Sequence, residues 1–183
     1  MKDSCLGRGG RKIDGMERIT GRAVFTADMT RPGMLHAAFL RSPHPHARVI
    51  SIDTSQAMKI EGVKSIITGE HLPINFGVIP VAQDEHALAT DKGRFVGDEV
   101  AAVAAISRSI AIEATRAIEV KYEVLEPVYS IEDALNPEKP ILHEGRRKAS
   151  NVLRRVFQKY GDIDAGMEEA DLIIDEDYFY PGS

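Results

Sequence analysis

The sharpest hydrophobic pattern lies in the middle of the chain. Residues 100–106 form an uninterrupted apolar run, and residues 120–125 alternate between apolar and polar side chains. Between them, residues 109–119 place Ile110, Ala114, Ala117 and Ile118 on one helical face. The order predicts a strand, a helix and a strand. A strand without polar interruption is usually covered on both faces, so we expect residues 100–106 at the centre of the sheet and Val103 deeply buried.

Shorter apolar stretches predict three further strands, at residues 35–40, 49–52 and 63–68. The first strand runs into Ser42-Pro43-His44-Pro45, a rigid bend because each proline removes a backbone donor. Asp53, with Gln56 three residues later, resembles a capping box and predicts a short helix over 54–60. Residues 72–90 have no sustained period and are the longest predicted loop.

The C-terminal third predicts smaller elements. Ser130 with Asp133 indicates a helix that stops before Pro137, and a charged connector follows over 136–150. We predict strands over 152–160 and from Leu172 toward Tyr180, with a short helix entered at Asp162. The last strand has no return partner and leaves its aromatic side chains exposed. This indicates a fragment, or a subunit that rests on another chain.

Composition narrows the class of protein. A chain of 183 residues with 43% hydrophobic content can bury one core. No apolar run approaches the roughly 20 residues of a membrane-spanning helix, and residues 1–22 lack the apolar stretch of a secretory signal. We therefore expect a cytoplasmic protein with no membrane partner. The single cysteine, Cys5, supports neither a disulfide framework nor a cysteine-bound iron–sulfur cluster.

Charge is unevenly distributed along the chain. The net charge is −5, yet residues 1–23 carry six basic and three acidic side chains, whereas residues 161–183 carry eight acidic and no basic ones. No continuous basic face appears, tryptophan is absent, and only 6% of the residues are aromatic. These features argue against nucleic acid as a partner.

Several motifs offer chemistry, but each has a plainer structural interpretation. His44 and His46 could give two nitrogens to a metal, although catalytic zinc needs three protein ligands, and Pro45 between them favours rings on opposite sides. Gly97-Asp98 is more typical of a tight turn than of a ligand site. The glycines near the N-terminus match no phosphate-loop pattern, and Arg146-Arg147-Lys148 is more simply a solvated linker. We predict no catalytic, cofactor-binding or metal-binding residue in this chain.

The chain resembles the opening of xanthine dehydrogenase and aldehyde oxidase large subunits, the molybdenum hydroxylases. The resemblance is carried by DGMERITGRA (14–23), TAD (26–28), LRSPHPHARV (40–49), GDEVAAVAA (97–105), VKYEVL (120–125) and GDIDA (161–165). Within that family, FGVIP (76–80) and DKGRF (91–95) look most like the α subunit of 4-hydroxybenzoyl-CoA reductase.

The resemblance implies an α+β fold, an α/β-hammerhead with a mixed sheet, followed by the first strands of a molybdenum-binding region. It implies a flexible leader over 1–20, the hammerhead over 21–127, a helix and charged connector over 128–150, and a truncated start of the molybdopterin-binding domain over 151–183. Catalysis, molybdopterin and iron–sulfur clusters would belong to the complete enzyme, through further molybdenum-binding domains and iron–sulfur and FAD subunits. The segment 42–48 would be structural, with Arg48 paired to a carboxylate and His44 or His46 bonded to backbone.

Two alternatives stay open on the sequence alone. The chain could be a free-standing hammerhead module without redox activity, which recognises a coenzyme A ester through Arg146 to Lys148. It could also be one polypeptide of a split subunit, whose remaining domains are encoded separately.

Overall fold

The computed structural model describes residues 12–77, 82–145 and 150–181. The chain divides into two compact units. The larger one comprises the residues up to Asn75 together with His86–Pro127, and the smaller one comprises Phe76–Glu85 and the residues from Val128 onward. The predictions for Cys5, for the glycines near the N-terminus and for Arg146 to Lys148 lie outside the described residues.

A short helix, α1 (Gly15–Ile19), and two three-stranded sheets belong to the larger unit. The first sheet has the order β1 (His36–Arg41), β7 (Glu99–Ala105), β3 (Val63–Thr68), and the second has the order β6 (Lys92–Gly93), β2 (Ala47–Asp53), β8 (Glu119–Val124). Two short strands, β4 (Asn75–Phe76) and β5 (Glu85–His86), form a separate pair. These bounds place the strands predicted at 35–40, 49–52 and 63–68 within two residues of the observed ones.

All pairings within the two larger sheets are antiparallel, so the predicted mixed sheet was wrong in this detail. The reason is that β7 and β8, although linked by a helix, do not share a sheet. A parallel pair would need the connecting helix to return the chain to the same sheet. Here the helix instead carries the chain from one sheet to the other.

The prediction that residues 100–106 form the central strand is confirmed. β7 pairs with β1 on one side and β3 on the other, which satisfies its backbone in both directions. Val100 and Ala101 are fully buried and Val103 is 1% exposed. The core groups Ala101 and Val103 with Ala114 of the helix and with Ile52 and Val120 of the second sheet, and it also includes Ala57 and Ile118, which lie outside the helix and the strands.

The predicted helix forms as α2, which spans Arg108–Arg116 rather than 109–119. It begins at Ser107, whose hydroxyl accepts a hydrogen bond from the Ile110 N–H at 3.3 Å and so satisfies a free donor of the first turn. Its buried face carries Ala111, Ala114 and Thr115, small enough for close approach to β7. The helix ends early because Glu119 already pairs with Asp53 of β2.

The helix predicted over 54–60 is only a single 3-10 turn, Ala57–Lys59. Asp53 does not form the expected capping box with Gln56. Its carboxylate accepts a hydrogen bond from the Ser55 N–H at 2.8 Å, a local turn that competes with helix formation.

In the smaller unit, the predicted helix after Ser130 forms as α3 (Ile131–Leu135), with the Ser130 hydroxyl accepting from the Asp133 N–H at 3.0 Å. Asp162 likewise caps α4 (Ile163–Glu168). Asn151 ties the connector together, because its side chain bonds the Leu142 N–H at 2.9 Å and the Pro140 carbonyl at 3.0 Å. The His143 ring lies 2.7 Å from the Asp84 carboxylate.

The strands predicted over 152–160 and 172–180 do not form within the smaller unit. Both segments are described as unpaired chain, and their large apolar side chains are exposed, Phe157 at 94% and Tyr178 at 91%. Apolar periodicity alone cannot make a strand when no neighbouring strand supplies hydrogen bonds. In the described part of the chain, no helix combines the length and hydropathy needed to cross a membrane.

We expect Val103→Ala to lower the free energy of unfolding by about 2 kcal/mol, because it leaves a cavity in a fully packed core. The matched control is Val124→Ala, a strand valine that is 61% exposed, for which we expect a change within about 0.5 kcal/mol. Urea denaturation of both variants measures the difference. Equal losses would show that the centre of β7 is not the core.

Candidate functional site

Buried and half-buried polar side chains gather where β1, β6, β7 and β8 meet the loop after β1. We call Ser42, His46, Lys92, Asp98 and Tyr122 the polar junction. Ser42 and His46 are each 2% exposed and Lys92 is 3% exposed, unusual values for such residue types. Buried polar groups need partners, so this cluster is where the larger unit departs most from a simple apolar core.

Ser42 connects the end of β1 to the turn before β7. Its N–H donates to the Asp98 carbonyl at 2.7 Å, and its carbonyl accepts from the Gly97 N–H at 2.8 Å. Its hydroxyl accepts from the His44 N–H at 3.1 Å and can donate to the His44 carbonyl at 3.0 Å. The tight turn predicted at Gly97-Asp98 is confirmed, and Gly97 has a φ of +96°, which favours glycine.

His46 is held by the backbone next to the last strand of the larger unit. Its carbonyl accepts from the Leu125 N–H at 2.9 Å, and its Nδ1 lies 2.7 Å from the Glu126 carbonyl. Because a carbonyl can only accept, Nδ1 carries a hydrogen in this contact. Nε2 is buried, and among the described residues it has no hydrogen-bond partner. The ring therefore anchors the point where the chain leaves this unit.

Asp98 of the polar junction and Asp91 nearby in sequence have pKa values shifted in opposite directions. Burial raises the pKa of Asp98, although the Arg94 N–H at 2.9 Å and the Arg94 charge oppose the shift. Burial would also raise the pKa of Asp91, but the charges of Arg94 and Lys92 and nearby backbone N–H groups lower it overall. Burial, together with the negative charge of Asp98, raises the pKa of the Tyr122 phenol.

The side chains of segment 42–48 have partners within the larger unit. Arg48 pairs with Glu123 at 3.1 Å and His46 bonds to backbone, as expected for segment 42–48. His44 packs edge-on against the Tyr122 ring, with centroids 5.1 Å apart. Among the described residues, no three His, Cys, Asp or Glu side chains lie close enough to hold a metal ion.

The sequence did not point to Lys92 or Tyr122, and at Gly97-Asp98 it favoured a tight turn without indicating that the Asp98 side chain is half-buried. Lys92 sits in a two-residue strand that is too short to show a period, and it is buried because β6 pairs with β2. Tyr122 was visible only as one apolar position of an alternating strand. A lysine and an aspartate flanking two glycines over 92–98 were the available signal.

A shallow cavity of about 100 Å³ lies beside β2 in the larger unit. It is lined by Val49, Ile50, Ser51, Ile52, Thr68, Gly69, Glu70, Ala89 and Thr90. Sites for cofactors and drug-sized ligands usually measure roughly 300–1,000 Å³. The cavity therefore has room for a few water molecules or a very small ligand.

The family described as the aldehyde oxidase and xanthine dehydrogenase a/b hammerhead domain matches residues 20–126. The chain belongs to this family. Its resemblance to molybdenum hydroxylase large subunits and its α/β-hammerhead fold are thereby confirmed, and the two sheets with α2 are the hammerhead.

Relatives of known function share this region. The chain is 37% identical over 175 residues to the nicotinate dehydrogenase large molybdopterin subunit of Eubacterium barkeri, covering 94% of this chain and 40% of that protein. It is 39% identical over 170 residues to a probable xanthine dehydrogenase subunit of Bacillus subtilis, covering 92% and 22%. Quinoline 2-oxidoreductase from Pseudomonas putida 86 matches in structure with a TM-score of 0.65 and 37% identity, over 75% of this chain and 18% of that one. The hammerhead chain thus spans less than half the length of these relatives.

We expect His46→Ala to lower the free energy of unfolding of the hammerhead by about 3 kcal/mol, because it opens a buried cavity and removes the donor to Glu126. His46→Asn can still donate to that carbonyl and should lose less. The control His44→Ala removes only a partly exposed ring contact, so we expect a loss of about 1 kcal/mol or less. Urea denaturation curves of the three variants measure the free energy of unfolding. Equal losses for His46→Ala and His44→Ala would refute the anchoring role of His46.

Asp98 and Asp91 should give opposite pH dependences. The folded-state pKa of Asp98 is raised, so its cost to stability is present above that pKa and fades as the pH falls toward the ordinary value of 3.8. The folded-state pKa of Asp91 is lowered, so its stabilising contribution is present above 3.8 and is lost as the pH falls further.

On acidification, wild type should therefore gain stability relative to Asp98→Asn and lose stability relative to Asp91→Asn. Urea denaturation at a series of pH values measures both differences. The same sign of slope for the two variants would contradict the assigned environments.

Proposed function

We propose that this chain is the N-terminal structural part of a molybdenum hydroxylase large subunit and takes part in redox chemistry only within the complete enzyme. The observation that carries the proposal is the family match over residues 20–126, together with relatives named as molybdopterin and xanthine dehydrogenase subunits. In this role the hammerhead supplies a rigid folded unit. The prediction that its residues include no catalytic, cofactor-binding or metal-binding group stays part of the proposal.

Molybdopterin in the complete enzyme would be held by domains other than the hammerhead. Neither site described above fits the cofactor: the cavity beside β2, of about 100 Å³, is far too small for a pterin, and the Ser42, His46 and Lys92 side chains of the polar junction are closed off from solvent. The iron–sulfur clusters would likewise belong to other parts of the complex, and FAD to a further subunit.

The proposed domain organisation keeps the predicted boundaries: a leader over 1–20, the hammerhead over 21–127, a helix and connector over 128–150, and the start of the molybdopterin-binding domain over 151–183. Support comes from the end of the larger unit at Pro127. Support also comes from the exposed Ile173 and Phe179 of the unpaired tail, apolar side chains that a larger sheet would cover.

The experiment is metal and pterin analysis of the protein purified under native conditions from its own source, with mass spectrometry of every accompanying chain. We expect molybdenum, a pterin and an iron–sulfur partner. A lone, metal-free chain of this length would overturn the proposal and favour a free-standing hammerhead module. Molybdopterin on a separate copurifying polypeptide would identify a split subunit, which retains the proposed role.

The finer proposal, a 4-hydroxybenzoyl-CoA reductase-like enzyme, rests on residues 76–80 and 91–95, of which 78–80 lie outside the described residues. The same native preparation tests it. Reduction of 4-hydroxybenzoyl-CoA with a low-potential donor would support this substrate, whereas oxidation of a purine, a nicotinate or an aldehyde instead would reject it without touching the broader role.

A further inference from the structure

The sheet of β1, β7 and β3 has two faces, and α2 packs on one of them. That face includes Ala101 and Val103 of β7, flanked by Leu40 of β1 and Ile66 of β3. Neighbouring residues of a strand point to opposite sides, so the positions between these lie on the other face. We call this second surface the open face.

Two rows of residues make up the open face. The strand register aligns Ala37, Ala104 and Ser65 in one row and Phe39, Ala102 and Ile67 in the other. Directly opposite residues share a face, so these six side chains form one surface. Phe39 is 49% exposed, Ala37 and Ser65 are exposed, and the other three are half-buried.

The shape of the open face is a trough. The central strand contributes only methyl groups, from Ala102 and Ala104, while the larger Phe39 and Ile67 stand on the outer strands on either side. On the opposite face, α2 packs mainly over β1 and β7. On both faces an alanine of β7 lies beside a large residue of β1: Ala101 beside Leu40 under the helix, and Ala102 beside Phe39 on the open face. The open face therefore suits a second helix with an apolar ridge.

We propose that the open face is the docking surface for an apolar helix from the part of the large subunit that lies beyond this chain. The inference rests on the proposed function, which supplies that further polypeptide. The relatives are long enough to provide it, since the chain spans 40% of one and 22% of another. The opposite face is covered by a helix, α2, and a central strand that is apolar on both sides requires cover on both.

A photo-cross-linking residue at Phe39 tests the proposal in the native complex. Phe39→p-benzoyl-phenylalanine keeps an aromatic ring in the trough, and the same substitution at Val124, 61% exposed on the other sheet, is the matched control. After irradiation, mass spectrometry should find Phe39 linked to one peptide of helical apolar periodicity from the rest of the large subunit. The Val124 probe should give several-fold less product.

Three results would overturn the docking surface. These are a Phe39 probe that cross-links no better than the Val124 probe, a link to a second copy of this chain, and a link to an iron–sulfur subunit. If the bulky probe prevents assembly, Ala104→Cys replaces it. Its alkylation in the native complex should be at least about tenfold slower than that of Val124→Cys, and equal rates would overturn the inference.

Molybdenum content measured in the same preparations separates the two proposals. Molybdenum together with an unprotected trough would defeat the docking surface and leave the proposed function intact. A preparation without molybdenum would defeat the proposed function, and the cross-linked peptide would then decide the docking surface by itself.

Discussion

The main constraint on the hammerhead is the strand Glu99–Ala105, which needs backbone hydrogen bonds along both edges and cover from water on both faces. This strand carries no polar side chain after Glu99, so every backbone N–H and C=O must find a partner within the protein and both faces must leave water. Its neighbours β1 and β3 supply the hydrogen bonds on the two sides, and α2 covers one face. Both β1 and β3 run antiparallel to this strand.

Ser42 and Asp98 of the polar junction lie next to the start of that strand. The chain enters β7 through Gly97, whose positive φ lets it donate to the Ser42 carbonyl, and Ser42 returns the bond to Asp98. Arg41 reinforces the same turn, with its guanidinium 2.9 Å from the Gly97 carbonyl and 2.8 Å from the Glu99 carboxylate. The two histidines that were weighed as metal ligands have other contacts: the His44 ring packs against Tyr122, and the His46 ring lies against backbone. His46 in particular fixes the exit of the chain through the Glu126 carbonyl.

The buried position of His46 bears on how segment 42–48 is interpreted. In an enzyme family, a proline-histidine motif invites a catalytic interpretation, yet the ring of His46 is closed off and its Nδ1 is committed to backbone. The hammerhead fold by itself does not specify a function.

The sequence by itself determined the elements whose cause is local: the strand 100–106, the amphipathic helix that follows it, and the short helices capped by Ser130 and Asp162. Continuous or periodic apolar residues and a capping hydroxyl or carboxylate act within one turn or one strand, so they can be recognised without neighbours. The resemblance carried by the family motifs also predicted the hammerhead fold. Only the tertiary structure decided that β7 and β8 lie in different sheets, that Lys92 is buried, and that residues 152–160 and 172–180 remain unpaired. These outcomes depend on which strands meet across long sequence separations, and hydrogen-bond partners at that distance leave no periodic trace in the chain.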